Sequence, residues 1–163
     1  MKRFLMIALP VFVIGFGAGA AFWYLASPLW IDREVSEALP ADFMVTEVAS
    51  GSFRDADSVH RGKGNARVLQ SGGGSLLVRL EDFEVTNGPD LEVWLVKEPD
   101  PAESDDVKAS EWISLGQLKC NIGNQTYTVP DGTVITDFGS VVIWCEQFGV
   151  LFSPAMLTHT PAS

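Results

Sequence analysis

Apolar and polar residues alternate along most of the chain after residue 43. Two runs show the alternation best, Leu76, Val78 and Leu80 and, after the turn TNGPD, Leu91, Val93 and Leu95. Residues two apart lie on the same face of a strand, so each run predicts a strand with one apolar face. Shorter runs occur at 43–48, 66–70, 112–118 and 126–129. Seven to nine short strands separated by regular turn signals predict an all-β fold, an antiparallel β-sandwich.

The stretch VVIWCEQFGVLF, residues 141–152, changes the parity of its apolar positions. Positions 141, 143 and 145 share one face, whereas 148, 150 and 152 share a face of opposite parity. A single strand keeps both sets inward only with an extra residue, so we expect a bulge or tight bend near Glu146 and Gln147. Cys145 then points into the core, and Trp144 lies on the opposite face.

Four other segments are predicted outside the strands. Gly62–Gly64 and Gly72–Gly74 are expected to be loops between strands. The apolar positions Ile31, Val35 and Leu39 recur every four residues, which predicts a short helix within residues 27–40. The acidic stretch 98–111 contains two prolines and is expected to be a solvated loop, because its carboxylates do not match a calcium-binding loop.

The N-terminus predicts a membrane anchor. No charged residue occurs from Phe4 to Ile31, and residues 4–26 are long enough to contact the lipid bilayer as one transmembrane helix. Lys2 and Arg3 precede this helix, so we expect a cytoplasmic N-terminus and a body on the periplasmic or extracellular side. Aromatic rings at Trp23, Tyr24 and Trp30 fit the far interface. The alternative is a cleaved signal peptide with its site at 18–20.

These patterns divide the chain into four parts. We predict an anchor over 1–31, a juxtamembrane linker over 32–42, the β-sandwich over 43–157 and a tail over 158–163. Residues 32–163 contain 9 Lys and Arg against 21 Asp and Glu, which gives a net charge of −12. Such an acidic body repels phosphate backbones, so nucleic acid is not expected as a partner.

The sequence offers little support for an enzyme. It contains two histidines, His60 and His159, and no hydrolase, zinc or nucleotide motif. No metal site is predicted. A blue-copper site would need a histidine between Cys145 and Met156, and that segment contains none. Haem, held without covalent attachment, is a candidate cofactor, and its candidate ligands are Cys145, Met156, Met44 and His60. The other alternative is no cofactor.

The two cysteines, Cys120 and Cys145, allow three interpretations. An oxidising compartment favours a disulfide between them, which would add about 3.5 kcal/mol of stability for a loop of this length. Alternatively, Cys145 is a buried free thiol that only packs, or it is a reactive or ligand-binding group. Nothing close in the sequence acidifies Cys145, and Glu146 would raise its pKa.

Several phrases together resemble one family. LEDFEVTNGPDLEVWL (80–95), LGQLKCNIGNQTYTVP (115–130) and SVVIWCEQFGVLFSPAML (140–157) are similar to the DM-thirteen domain, also called the electron-transfer or Skeletor-type domain. The stretch at 50–69 fits its start, so the resemblance covers residues 48–157. The anchored single-domain layout is similar to that of bacterial members.

The resemblance implies a β-sandwich with a redox role. The cysteine of the family's Trp-Cys motif corresponds to Cys145 and is implied to act as a thiol or a haem ligand. Cys120 departs from the family pattern, and pairing with Cys145 would give a dithiol couple. Trp144, Phe148, Asp90 and Gln125 are the motif residues expected near the site. The expected partner is an unknown envelope or redox protein. The competing hypothesis is a non-catalytic envelope binding or scaffolding domain in which Cys145 is structural.

Overall fold

The computed structural model describes residues 2–26, 32–39 and 45–161. Contacts divide the chain into two compact units, residues 1–31 and 32–163. The first unit contains helix α1, Lys2–Ala26. Within it, Met6–Trp23 has a mean hydropathy of 1.9, so the helix is long and apolar enough to cross a bilayer. Trp30, which we expected at the membrane interface, lies outside the described residues.

The second unit consists mainly of short strands. They are β1 (Glu34–Ser36), β2 (Val45–Ser52), β3 (Gly62–Ser71), β4 (Leu76–Val85), β5 (Leu91–Val96), β6 (Trp112–Gln117), β7 (Ile122–Thr128), β8 (Ser140–Cys145), β9 (Val150–Met156) and β10 (Thr158–His159). A six-residue helix, α2 (Ser104–Ala109), precedes β6, and a single 3₁₀ turn (Ile135–Asp137) precedes β8.

The strands form two sheets. The larger sheet has the order β1-β7-β4-β3-β2-β10, and the smaller has the order β6-β5-β8-β9. Neighbouring strands are antiparallel throughout the described residues, except that β1 runs parallel to β7. The predicted antiparallel β-sandwich is therefore confirmed.

Alternating side chains from both sheets fill the main core. The predicted inward residues Val78, Leu80, Val93 and Leu95 are fully buried there. The outer face of the smaller sheet carries a second apolar cluster that alternation did not predict. Its members are Trp94, Val96, Val107, Val142, Trp144 and Leu151, and Val107 comes from α2. Helix α2 thus covers part of the outer face of the smaller sheet.

The parity change at 141–152 marks a hairpin between two strands. β8 ends at Cys145, the turn spans 146–149, and β9 begins at Val150, with Cys145 opposite Val150 in the register. The predicted tight bend at Glu146 and Gln147 is confirmed, and Cys145 points into the core as expected. The two parities belong to different strands, so each strand keeps its own inward face. Phe148, expected on the same inward face as 150 and 152, instead lies in the turn and is exposed.

Two segments predicted as irregular carry regular structure. Gly62–Gly64 opens β3, and the pairing with β4 shifts between Lys63 and Asn65. Gly64 has a φ of +100°, and a Cβ there would lie 2.6–2.7 Å from backbone atoms of β4, so glycine marks a bulge here. The acidic stretch 98–111 contains α2, because the Asp106 side chain accepts hydrogen bonds from two backbone N–H groups at the start of that helix. Gly72–Gly74 forms the predicted turn.

The predicted helix within 27–40 is contradicted for its central residues. Glu34–Ser36 form strand β1, and residues 27–31 and 40 lie outside the described chain. Pairing with β7 overrides the four-residue spacing. Gly123 makes this pairing fit, because its φ is +104° and a Cβ at this position would overlap the carbonyl oxygen of Val35.

Candidate functional site

Cys145 lies at the end of β8, inside the main core and directly before an exposed turn. Its side chain is fully buried, whereas Phe148 in the turn is 65% exposed. The turn is closed by a hydrogen bond of 2.8 Å from the Gly149 N–H to the carbonyl oxygen of Cys145. A few residues of turn therefore separate the sulfur from solvent.

The sulfur of Cys145 has polar neighbours. Its Sγ donates a hydrogen bond to the carbonyl oxygen of Pro89 at 3.0 Å. The backbone N–H groups of Gln147 and Phe148 point toward the same atom from the turn. The Glu146 N–H also bonds the Asp90 carbonyl oxygen at 3.0 Å, so the 89–90 loop and the 146–149 turn are held together around the sulfur. We call this set of backbone groups the thiol cradle.

The Cys145 thiol is protonated at neutral pH. Burial raises its pKa, and the negative charges of Asp90 and Glu146 raise it further, while the two N–H groups of the turn partly oppose this. The sequence prediction that Glu146 raises this pKa is confirmed, although burial is the larger cause. Thiolates rather than thiols attack disulfides and metals, so the cradle does not favour nucleophilic chemistry.

Cys120 lies in the loop between β6 and β7 and is partly exposed. Both cysteines are free thiols in the structure. Gln125, which is fully buried, holds the Cys120 backbone from both sides. Its Oε1 accepts from the Cys120 N–H at 3.2 Å, and its Nε2 donates to the Cys120 carbonyl at 2.6 Å. Gln125 thus holds the Cys120 loop through hydrogen bonds to its backbone.

The other motif residues occupy distinct environments. Asp90 has a φ of +53° and accepts a hydrogen bond from Gln117 at 3.1 Å. Trp144 is buried in the second apolar cluster, on the face opposite Cys145. The fold therefore brings Asp90 and Phe148 close to Cys145. Trp144 is its neighbour in the sequence, but the two side chains lie on opposite faces of the sheet.

The structure also stacks three tryptophans that the sequence analysis did not group. Trp94 on β5 lies between Trp112 on β6 and Trp144 on β8. Its ring centroid is 3.9 Å from that of Trp112, with 10° between the planes, and 5.1 Å from that of Trp144, with 28°. We call this set the indole stack. The feature of the sequence that could have indicated this stack is the tryptophan at position 94, because alternation predicts that this face of β5 is exposed to solvent.

The environment of Cys145 does not fit haem. An iron atom bound to Sγ would need space that core side chains and the carbonyl oxygen of Pro89 now fill. His60 Nδ1 is bonded to Asp57 at 2.7 Å, and its ring packs on Phe152. Met156 lines an open, polar depression of about 720 Å³ beside Glu47 and Arg67. Met44 lies outside the described residues. No group of three or more His, Cys, Asp or Glu suited to a metal occurs in residues 2–26, 32–39 and 45–161.

The site makes the fold sensitive to alkaline pH. Burial raises the pKa of Tyr127 well above its usual value of 10.0, and that of Cys145 above 9.0. The unfolded chain therefore loses these protons first, and stability is lost as pH rises beyond about 9. We expect urea unfolding of the protein in detergent to show a falling midpoint from about pH 8 to about pH 11. Tyr127→Phe and Cys145→Ala should each flatten this fall, and a midpoint that does not depend on pH would contradict the assignment.

Comparison with known proteins adds one match. A family model described as "Electron transfer DM13" matches residues 52–157. These residues run from the end of β2 to the residue after β9 and contain both cysteines, the thiol cradle and the indole stack. Comparisons with curated proteins and with solved structures gave no match.

Proposed function

Since the chain belongs to the electron-transfer DM13 family, we propose that it is a membrane-anchored envelope domain that exchanges single electrons through Cys145. Helix α1 supports retention in the membrane, because Met6–Trp23 is long enough to span it. Lys2 and Arg3 favour a cytoplasmic N-terminus, which puts the β-sandwich on the periplasmic or extracellular side.

The thiol cradle is the observation that carries the redox role. A cysteine that only fills space needs no polar partners, yet this sulfur bonds Pro89 and faces two N–H groups. The Pro89 carbonyl accepts the S–H hydrogen, whereas the N–H groups of the turn stabilise the reduced sulfur, so a strong one-electron oxidant is needed to remove the electron. The raised pKa makes the protonated thiol the resting form. Oxidation therefore removes one electron from the thiol and releases its proton to water, leaving a sulfur-centred radical.

A cationic one-electron oxidant tests this role. The full chain in detergent is exposed to a photogenerated ruthenium(III) polypyridyl complex in the presence of a nitrone that traps sulfur radicals. Mass spectrometry of the digested protein should locate the nitrone adduct on Cys145. Cys120→Ser should leave this adduct unchanged, and Cys145→Ser should remove it. A Cys145 that stays fully reduced after prolonged exposure would contradict the proposed function.

The burial of Cys145 favours a second candidate, a binding or scaffolding domain in which this residue is structural. This alternative predicts that Cys145→Ala lowers stability by about 1–2 kcal/mol, as the loss of one small buried group does, and changes nothing else. It also predicts that Cys145 stays reduced in the experiment above, so one measurement separates the two functions.

A further inference from the structure

The three stacked indoles connect the protein surface to the neighbourhood of Cys145. Trp112 is 45% exposed, whereas Trp94 and Trp144 are each 3% exposed. Trp144 is the residue before Cys145 in β8. One end of the stack, Trp112, is therefore exposed to solvent. The other end, Trp144, is joined to the thiol cradle by the main chain.

The positions of the indoles follow from the register of the smaller sheet. Val96 on β5 pairs with Trp112 on β6, and Glu92 on β5 pairs with Trp144 on β8. Trp94 lies between these two pairs on the same face of β5. The three rings thus cross three adjacent strands in one row, and no non-aromatic side chain separates them. Packing alone does not require this: Val96 and Val142 cover part of the same face with aliphatic side chains.

A carboxylate touches the middle indole. Trp94 Nε1 donates a hydrogen bond to Glu92 Oε2 at 2.8 Å, and the Ser114 hydroxyl donates to the same oxygen at 2.6 Å. An indole that has lost an electron is far more acidic than a neutral indole. A negative charge at its N–H favours oxidation, and the carboxylate is in place to take the proton and return it.

We propose that the indole stack is the path by which single electrons leave the domain, with Trp112 as the exit. An oxidant at Trp112 takes one electron from its ring, and Trp94 then donates one electron to the oxidised Trp112. The Trp94 proton moves to Glu92 and returns when Trp144 supplies the next electron. Cys145 then reduces Trp144, and its S–H proton goes to water. One electron reaches the oxidant, and one proton leaves the sulfur. This path rests on the proposed function of Cys145.

The surface around Trp112 indicates the chemistry of the oxidant. An open depression of about 460 Å³ beside Trp112 is lined by the charged residues Lys97, Glu111, Asp131 and Asp137. Lys97 is neutralised by Glu111 at 2.7 Å, so the two aspartates leave a negative surface. A partner that carries a one-electron oxidant behind a positively charged face fits this surface.

Flash photolysis of the full chain in detergent tests the path. Trp23 and Trp30 are first replaced by Phe, so that only the stacked indoles absorb as radicals. A cationic ruthenium(III) complex is generated by a light pulse with a sacrificial quencher. We expect a tryptophanyl radical that forms rapidly and decays as the nitrone adduct appears on Cys145. The rate of radical formation should fall with rising ionic strength, because opposite charges attract the complex to Trp112.

Variants of the stack separate this inference from the proposed function. Trp112→Phe, a change at a half-exposed position, should remove the fast radical. Trp94→Phe should leave a radical on Trp112 that no longer oxidises Cys145 quickly. Glu92→Gln should slow the transfer and remove its solvent isotope effect. Unchanged Cys145 oxidation rates in Trp112→Phe and Trp94→Phe would overturn the path while leaving the thiol as the redox group. A radical on the indoles with Cys145 always reduced would overturn the function of the thiol.

Discussion

Gln125→Leu is expected to destabilise the folded domain by about 4 kcal/mol, because it leaves one buried hydroxyl and two partly buried backbone groups without their partners. The lost contacts are those to the N–H and C=O of Cys120, together with the hydroxyl of Tyr127, which donates to Gln125 Oε1 at 2.8 Å. Leucine has a similar volume, so the effect isolates hydrogen bonding from packing. Chemical unfolding of the full chain in detergent, followed by tryptophan fluorescence, measures the change.

A matched control lies eight residues earlier. Gln117 is exposed and makes one side-chain hydrogen bond, to Asp90 at 3.1 Å. Gln117→Leu should therefore change the free energy of unfolding by less than about 0.5 kcal/mol. Similar costs for the two substitutions would mean that Gln125 does not clamp the Cys120 loop. The clamp also predicts that iodoacetamide modifies Cys120 faster in Gln125→Leu at denaturant concentrations where the rest of the fold persists.

Removal of β1 and Glu37 is expected to cost about 3 kcal/mol, because it removes a main-chain acceptor from the buried guanidinium of Arg79, which keeps its ion pair with Glu81 at 3.6 Å. The side chain of Arg79 is 5% exposed, and its Nη2 donates to the main-chain oxygen of Glu37 at 2.5 Å. Its Nη1 donates to Thr126 at 2.8 Å, and its Nε has no hydrogen-bond partner. The comparison is between a chain that begins at Asp32 and one that begins at Val45, both measured by urea unfolding.

Two variants identify the cause of that loss. Glu37→Gln in the longer chain keeps the main-chain oxygen that Arg79 uses. It removes the partly exposed charge that pairs with Lys119 at 2.6 Å and accepts from the Thr126 N–H at 2.8 Å, so it should cost at most about 1 kcal/mol. Arg79→Met should reduce the cost of removing β1, because the buried charge is then absent. If shortening the chain costs the same in the Arg79→Met background, the strand does not act through Arg79.

The sequence predicted the parts of the fold that depend on local pattern. Alternation at Leu76–Leu80 and Leu91–Leu95 identified β4 and β5, and the parity change after Cys145 located the bend that is the β8–β9 turn. Burial of Cys145 followed from the same parity. These features were predictable because a strand with one inward face repeats every two residues.

The remaining features depend on contacts that local pattern does not encode. Val35 and Leu39 repeat at a helical spacing, yet pairing with β7 across more than 80 residues makes Glu34–Ser36 a strand. The indole stack was missed because Trp94, Trp112 and Trp144 lie on three separate strands. These residues lie on the outer face of the smaller sheet, which is apolar because α2 covers part of it. An alternating pattern alone predicts that such a face is exposed to solvent.

The strands at the two borders of the larger sheet have a consequence for solubility. β1 has three residues and β10 has two, and both lie outside the region 52–157 that matches the family. A long uncovered strand at the border of a sheet has unpaired backbone N–H and C=O groups that can pair with another chain. Short border strands leave few such groups available. A fragment trimmed to 52–157 lacks β1, β10 and all of β2 except Ser52, so β7 and β3 become the border strands and are exposed along their full length. We therefore expect this fragment to self-associate even if its interior packs normally.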